Sequence, residues 1–317
     1  MMNKKITFLT LFGLLTTGSL SSYTAHASQT WQSFCANINV DSSSTTTNTL
    51  NATNYIVQAS DNPAVKLTAQ QLNVSKSNNI LSADQLQRIT NITSTGLLNI
   101  VLNHQMKDCS KTYYTDSLSP LLKSLKKGNK VSFTWNNVRI QNSKVSYKAN
   151  TLNAQLSGQG NNIQIVIRFS GLSTLSQHKV PAAIIPEQGT INLTTTDQVY
   201  PLILASTSGN TDRASSGASF PVKINSLDLR NNQTAITANG NVTLNNKPTL
   251  TSAKGTFRIT NMQALITASN EANNSRLKTA LILAKFAGRN AGNNILEWDI
   301  DWQGNLFKVN SVPIPVW

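Results

Sequence analysis

Glu297, Asp299 and Asp301 form the one acidic cluster in an otherwise basic chain. Side chains two apart on a strand share a face and stand roughly 7 Å from each other. Three carboxylates in such a row could bind calcium or supply an acid/base pair for hydrolysis. The plainer reading is a solvated outer face whose charges pair with lysines on a neighbouring strand. The intervening residues favour it, because Leu296, Trp298, Ile300 and Trp302 alternate with the carboxylates as on a strand with one buried side. His104 and His178 are the only histidines after His26, and nothing around either completes a Ser-His-Asp set. The chain has no G-x-S-x-G elbow, no H-E-x-x-H and no phosphate-cradling loop ending in Gly-Lys-Ser or Gly-Lys-Thr. Gly158-Gln159-Gly160 reads as a turn. The sequence therefore predicts no catalytic residue, no metal ligand set and no cofactor; a hydrolase working through Glu297 and Asp299 is the third-ranked alternative.

Two cysteines, Cys35 and Cys109, are the other reactive groups. Neither has a C-x-x-C partner, so an even number in an oxidising compartment points to one disulfide. Closing a loop of that length stabilises a fold by roughly 4 kcal/mol in the chain-entropy account. The oxidising compartment follows from the chain start. Lys4 and Lys5 precede the apolar run Ile6 to Leu15, and Ala25-His26-Ala27 has the small residues of a cleavage site. Residues 1–27 thus read as a signal peptide cleaved after Ala27. The run is shorter than the ~20 residues of a membrane span, and the expected location is the periplasm, without a stable transmembrane span.

The full chain carries a net charge of +14. Without Lys4 and Lys5 the remaining 290 residues hold 25 Lys and Arg against 13 Asp and Glu, or +12. Such a balance suits nucleic acid, but export removes that partner; a phospholipid or anionic glycolipid surface fits better. Trp298, Trp302 and Trp317 are the candidate ligand or interface residues. The last follows Val312-Pro313-Ile314-Pro315-Val316, a stiff apolar tail that either closes the core or enters a groove.

The elements that must position these groups read as mainly β. Residues 28–53 are Ser-, Thr- and Asn-rich and predict a flexible polar leader. An N-terminal β-rich half follows over 54–208. It includes a helix from Ser82 with a capping box to Gln85, an apolar run at Leu97 to Leu102 that suits helix or strand, and a second helix over Asp116 to Lys127 with Pro120 in its first turn. Lys130 to Ser170 predicts a meander with turns at Asn136-Asn137 and Asn142-Ser143. Gly209 to Gly217 is the candidate boundary. The C-terminal half, 218–317, reads as a hairpin, a helical stretch broken at Asn270 to Asn274, and a closing hairpin. In that stretch Leu277, Ala280, Leu281 and Ala284 make a core-facing stripe. Arg88-Ile89-Thr90-Asn91-Ile92 echoes Arg258-Ile259-Thr260-Asn261-Met262, as a duplicated unit would.

The run Ala238-Asn239-Gly240-Asn241-Val242-Thr243-Leu244, then Gly255-Thr256-Phe257-Arg258-Ile259-Thr260-Asn261, a helix, and Trp302-Gln303-Gly304-Asn305-Leu306 resembles an exported alphaproteobacterial family of unknown function. That family is similar in style to the AsmA-like envelope proteins. The resemblance covers mainly Ser226 to Trp317, more loosely Lys130 to Ser170, and implies no catalytic residues. AsmA-like proteins are usually anchored, and this chain shows no anchor. The expected architecture is a long curved antiparallel sheet with a few covering helices and an apolar concave face. The expected function is non-catalytic binding of a lipid or another amphipathic ligand in a β-groove; the alternative is a structural module docking an envelope protein partner.

Overall fold

The computed structural model describes residues 29–31, 36–77, 81–102, 104, 111–174, 184–196, 219–245 and 248–314. The expected signal peptide, Cys35, Cys109, His178, the expected Gly209 to Gly217 boundary and Trp317 lie outside the described residues.

The chain is mainly β, built on one large antiparallel sheet that does not close. Its first strands are β1 (Gln29–Trp31), β2 (Ala36–Val40), β3 (Ser42–Thr45), β4 (Thr49–Ala59) and β5 (Lys66–Lys76). Helices α1 (Ala83–Leu102) and α2 (Lys111–Lys126) follow. Then come β6 (Lys130–Gln141), β7 (Ser146–Gln159), β8 (Asn162–Ser170), β9 (Ser173–Thr174), β10 (Gln188–Thr196), β11 (Ser219–Arg230), β12 (Ala235–Asn245) and β13 (Ser252–Thr260). A second helix pair, α3 (Met262–Glu271) and α4 (Ser275–Ala287), precedes β14 (Arg289–Asn290), β15 (Ile295–Gln303), β16 (Leu306–Val309) and β17 (Val312–Ile314). Nearly every strand pairs with its predecessor in sequence. Among the exceptions, β9 pairs β7 and β10 pairs β8, and each helix pair is inserted between two hydrogen-bonded strands, β5 and β6 for the first and β13 and β15 for the second.

The expected flexible leader does not hold for its described part, which supplies β1 to β3 and the start of β4. Composition misleads there because the apolar residues are few but correctly phased. Ala36, Ile38, Val40, Leu50 and Ala52 are all buried on one face, while the hydroxyls of Ser42 and Thr53 bond each other at 2.7 Å on the other. Pairing with β4 supplies the backbone hydrogen bonds that a solitary polar segment would lack.

Asn136-Asn137 is likewise no turn. Asn137, at φ 49°, interrupts the single strand β6 without ending it, and Asn54, at φ 47°, does the same within β4. Asparagine tolerates this left-handed conformation better than most side chains. Between them on β5, Gln70 is left out of register and accepts a hydrogen bond from Asn137 Nδ2 at 2.6 Å. Each interruption resets the alternation. The buried set passes from Leu50 and Ala52 to Tyr55 and Val57 on β4, from Ala69 to Leu72 on β5, and from Trp135 to Val138 on β6. The interruptions stand side by side with no shift of register, so the buried face changes on three neighbouring strands together.

α1 begins with the expected reciprocal cap: Ser82 N–H donates to Gln85 Oε1 at 2.9 Å and Gln85 N–H to Ser82 Oγ at 3.2 Å. It continues through Leu97 to Leu102 and buries Leu86, Ile89 and Leu98 against β4, β5 and β6. Its buried side also carries Asn91 and Ser94, met by the Tyr55 hydroxyl at 3.5 and 3.1 Å. α2 starts five residues before Asp116, so Pro120 sits in the helix interior rather than the first turn. α2 packs on β7 and β8, where Gly158 admits the helix end: a Cβ there would lie 2.2 Å from Leu125 O. The Arg88 and Arg258 segments, similar as strings, fall in α1 and in β13 respectively, so they are no repeat. What recurs is the placing of a helix pair between two hydrogen-bonded strands.

Candidate functional site

The three carboxylates occupy the face of β15 opposite its tryptophans, as their spacing implies. They are compensated. Glu297 receives Arg258 Nε at 2.5 Å and Arg289 Nη2 at 2.8 Å, and the same Arg289 nitrogen lies 2.7 Å from Asp299. Asp301 is in register with Lys254 on one side and Lys308 on the other. Among the described residues no group of His, Cys, Asp and Glu could hold a metal ion. The Arg258 hydrogen bond chiefly, helped by Arg289 and opposed by desolvation, holds the Glu297 carboxyl below its ordinary value of 4.5. A carboxyl depressed by folding contributes stability that is present above the unfolded value and lost as pH falls through the folded one. Glu297→Gln is therefore expected to lower the melting temperature at pH 7 and to lose less of it than wild type on acidification below 4.5. Parallel acid-melting curves for the two proteins would show that the pairs carry no stability.

Of the candidate tryptophans, Trp298 is buried, donates Nε1–H to Ala284 O at 2.9 Å and tilts on Phe257 with ring centroids 5.8 Å apart. It fastens α4 to the sheet. Trp302 is half-buried and donates to Gly304 O at 2.5 Å, closing its own hairpin. His104 Nε2 lies 3.1 Å from Asp61 Oδ1.

The arrangement that no single segment announces is a set of apolar rows running across the strands. Directly paired residues share a face. One row runs Leu50, Val74, Phe133, Ala154, Ile167, Ile191, Leu227, Ala238, Phe257 and Trp298. Ten strands contribute one residue each, over nine steps of about 4.8 Å or roughly 43 Å in all. A parallel row runs Trp135, Leu152, Phe169, Gly189, Leu229, Ile236, Ile259 and Leu296. At the first end the rows are buried under α1 and α2. At the far end Ile259 and Trp298 pack with Met262, Leu265 and Ile266 of α3. Between them, from Ile167 to Phe257, every residue of the first row is only half-buried.

The opposite face of the same strands is hydrophilic, with Asn192 Oδ1 accepting from Gln164 and Asn225 at 3.0 and 3.1 Å. Strand periodicity predicted the alternations of Lys130 to Ser170 and of the C-terminal hairpins separately, but the order in which strands stack the rows depends on pairings that no local pattern encodes.

Two clefts border this face. One, of about 300 Å³, is lined by Arg168, Phe169, Gln188, Gly189, Thr190, Asp228 and Arg230. Arg168, Thr190 and Asp228 are directly paired, as are Gln188 and Arg230, and they alternate with Phe169, Gly189 and Leu229 of the rows, so the cleft belongs chiefly to the hydrophilic face; the Arg230 guanidinium is held in a two-pronged pair with Asp228 at 2.7 Å. The other, of about 450 Å³, lies at the start of α3 and is lined mainly by Asn261, Gln263, Lys285, Asn290, Asn293 and Asn294. No helix among the described residues is long and apolar enough to cross a membrane. Compared with protein-family models, with characterised proteins and with solved structures, the chain matches none.

Proposed function

We propose that this is an exported, non-catalytic lipid-binding protein that lays the acyl part of an amphipathic ligand along the half-buried rows of β8 to β12. The observation that carries this is the change in burial along one uninterrupted apolar row: closed at both ends by helix pairs, half-open in the middle. Apolar surface of that length suits a chain-like ligand. The compensated carboxylates of β15 argue against an acid/base role, since an ion-paired carboxyl with a lowered pKa is a poor proton donor at neutral pH.

The test is extraction of the exported protein followed by lipid analysis, together with uptake of a fluorescent fatty acid. Co-purified phospholipid and saturable uptake are expected. Ile191→Asp should reduce uptake about tenfold or more, because it places a charge on the apolar floor. Asn192→Asp adds the same charge on the opposite face and should leave uptake unchanged. Lipid-free protein that takes up no probe would overturn the proposal, as would equal effects of the two substitutions.

A further inference from the structure

α4 is apolar all round yet lies on the surface. Eight of its 13 residues are Leu, Ile, Phe or Ala, and none is buried. Leu281, Ile282 and Ala284 pack towards the second core, whereas Leu283 is 64% and Phe286 83% exposed on the outward side. A helix with apolar residues on every side is normally covered on every side. Its charges indicate by what. Between Glu271 and Glu297 the chain has no acidic residue but four basic ones, Arg276, Lys278, Lys285 and Arg289. Arg289 is paired with Glu297 and Asp299, but among the described residues Lys278 and Lys285 meet only the neutral amides of Asn270 and Gln263, at 2.8 and 3.0 Å. Their charge stays uncompensated. A second copy of the chain packed helix to helix would bring these cations against each other. An anionic bilayer surface satisfies both features, taking up the Leu283 and Phe286 side chains and neutralising the flanking cations.

We propose that α4 is a membrane-docking helix that seats Leu283 and Phe286 into an anionic lipid surface, bringing the apolar rows within reach of lipid. This rests on the lipid-binding reading above and adds the surface from which the ligand is exchanged. The test is flotation of the exported protein with phosphatidylglycerol-containing vesicles and with pure phosphatidylcholine vesicles. Wild type is expected to float with the first, less with the second, and less with the first as salt rises. Leu283→Ser combined with Phe286→Ser should weaken flotation about tenfold or more, with an unchanged melting temperature and undiminished fatty-acid uptake in solution. The docking role is overturned if the double variant floats like wild type, or if binding ignores vesicle charge. It is also overturned if wild type sediments as a dimer that the double substitution dissociates. Retained fatty-acid uptake in any of these cases leaves the groove standing, whereas wild-type protein that floats but takes up no probe removes the groove alone.

Discussion

Replacement of Trp135 by alanine is expected to destabilise the protein by about 3–5 kcal/mol, enough to leave many domains of ordinary stability partly unfolded. Trp135 is fully buried, in register between Leu72 and Leu152, with its ring stacked on Phe133 at 5.9 Å. No helix residue can fill the space from above without leaving its own packing against the rows, so truncation leaves a cavity. The indole Nε1–H of Trp135 has no hydrogen-bond partner among the described residues despite its burial. A buried unpaired donor costs about 1–3 kcal/mol. Trp135→Phe removes that donor along with part of the ring, and the two effects oppose each other. Urea midpoints should place the phenylalanine variant much nearer to wild type than to the alanine variant. Equal losses would mean that the indole nitrogen is satisfied in solution, and the cost assigned to it would be wrong.

The second large effect is expected at Gly255. On the apolar side of β12 and β13 it sits directly opposite Gly240. A Cβ on Gly255 would lie 2.2 Å from Asn239 O and 2.8 Å from Gly240 Cα; one on Gly240 would lie 2.5 Å from Lys254 O. These obstacles are backbone atoms, which no rotamer change can move. Gly255→Val should therefore cost about 3 kcal/mol, at or beyond the upper end of ordinary overpacking, and weaken hydrogen-exchange protection on β12 and β13 first. Gly96, inside α1 with nothing within 4 Å of its Cβ position, is the contrasting site. Gly96→Ala should stabilise by up to about 1 kcal/mol through helix propensity. A Gly255 variant as stable as wild type would show that the two strands lie farther apart than described.

Local patterns were most legible where one short interaction decides the outcome. The Ser82 and Gln85 cap, the helix break between Glu271 and Ser275, and the two faces of β15 all follow from residues within a few positions of each other. Where a side chain has more than one compatible backbone role, the reading went astray. Asn-Asn can turn a chain or interrupt a strand that continues, and β5 alongside keeps β6 continuous through Asn137. Pro120 can open a helix or sit within one, and the packing of Leu121 and Leu125 on the sheet outweighs the hydrogen bond that Pro120 cannot donate. In α4, Leu277, Ala280, Leu281 and Ala284 have the period of a core stripe, yet Ala280 is exposed and the helix as a whole rides on the surface.

The sequence by itself determined that this chain is a β-rich fold with polar and apolar sides on each strand, because alternation is a property of neighbouring residues. It also determined the basic surface that meets the proposed ligand. Only the tertiary structure decided that ten separate alternations align into one row, that helix pairs close its ends and not its middle, and that the acidic cluster is neutralised by Arg258 and Arg289. Those outcomes depend on register between residues far apart in the chain, and a register shift of one residue would turn an apolar row to the solvent.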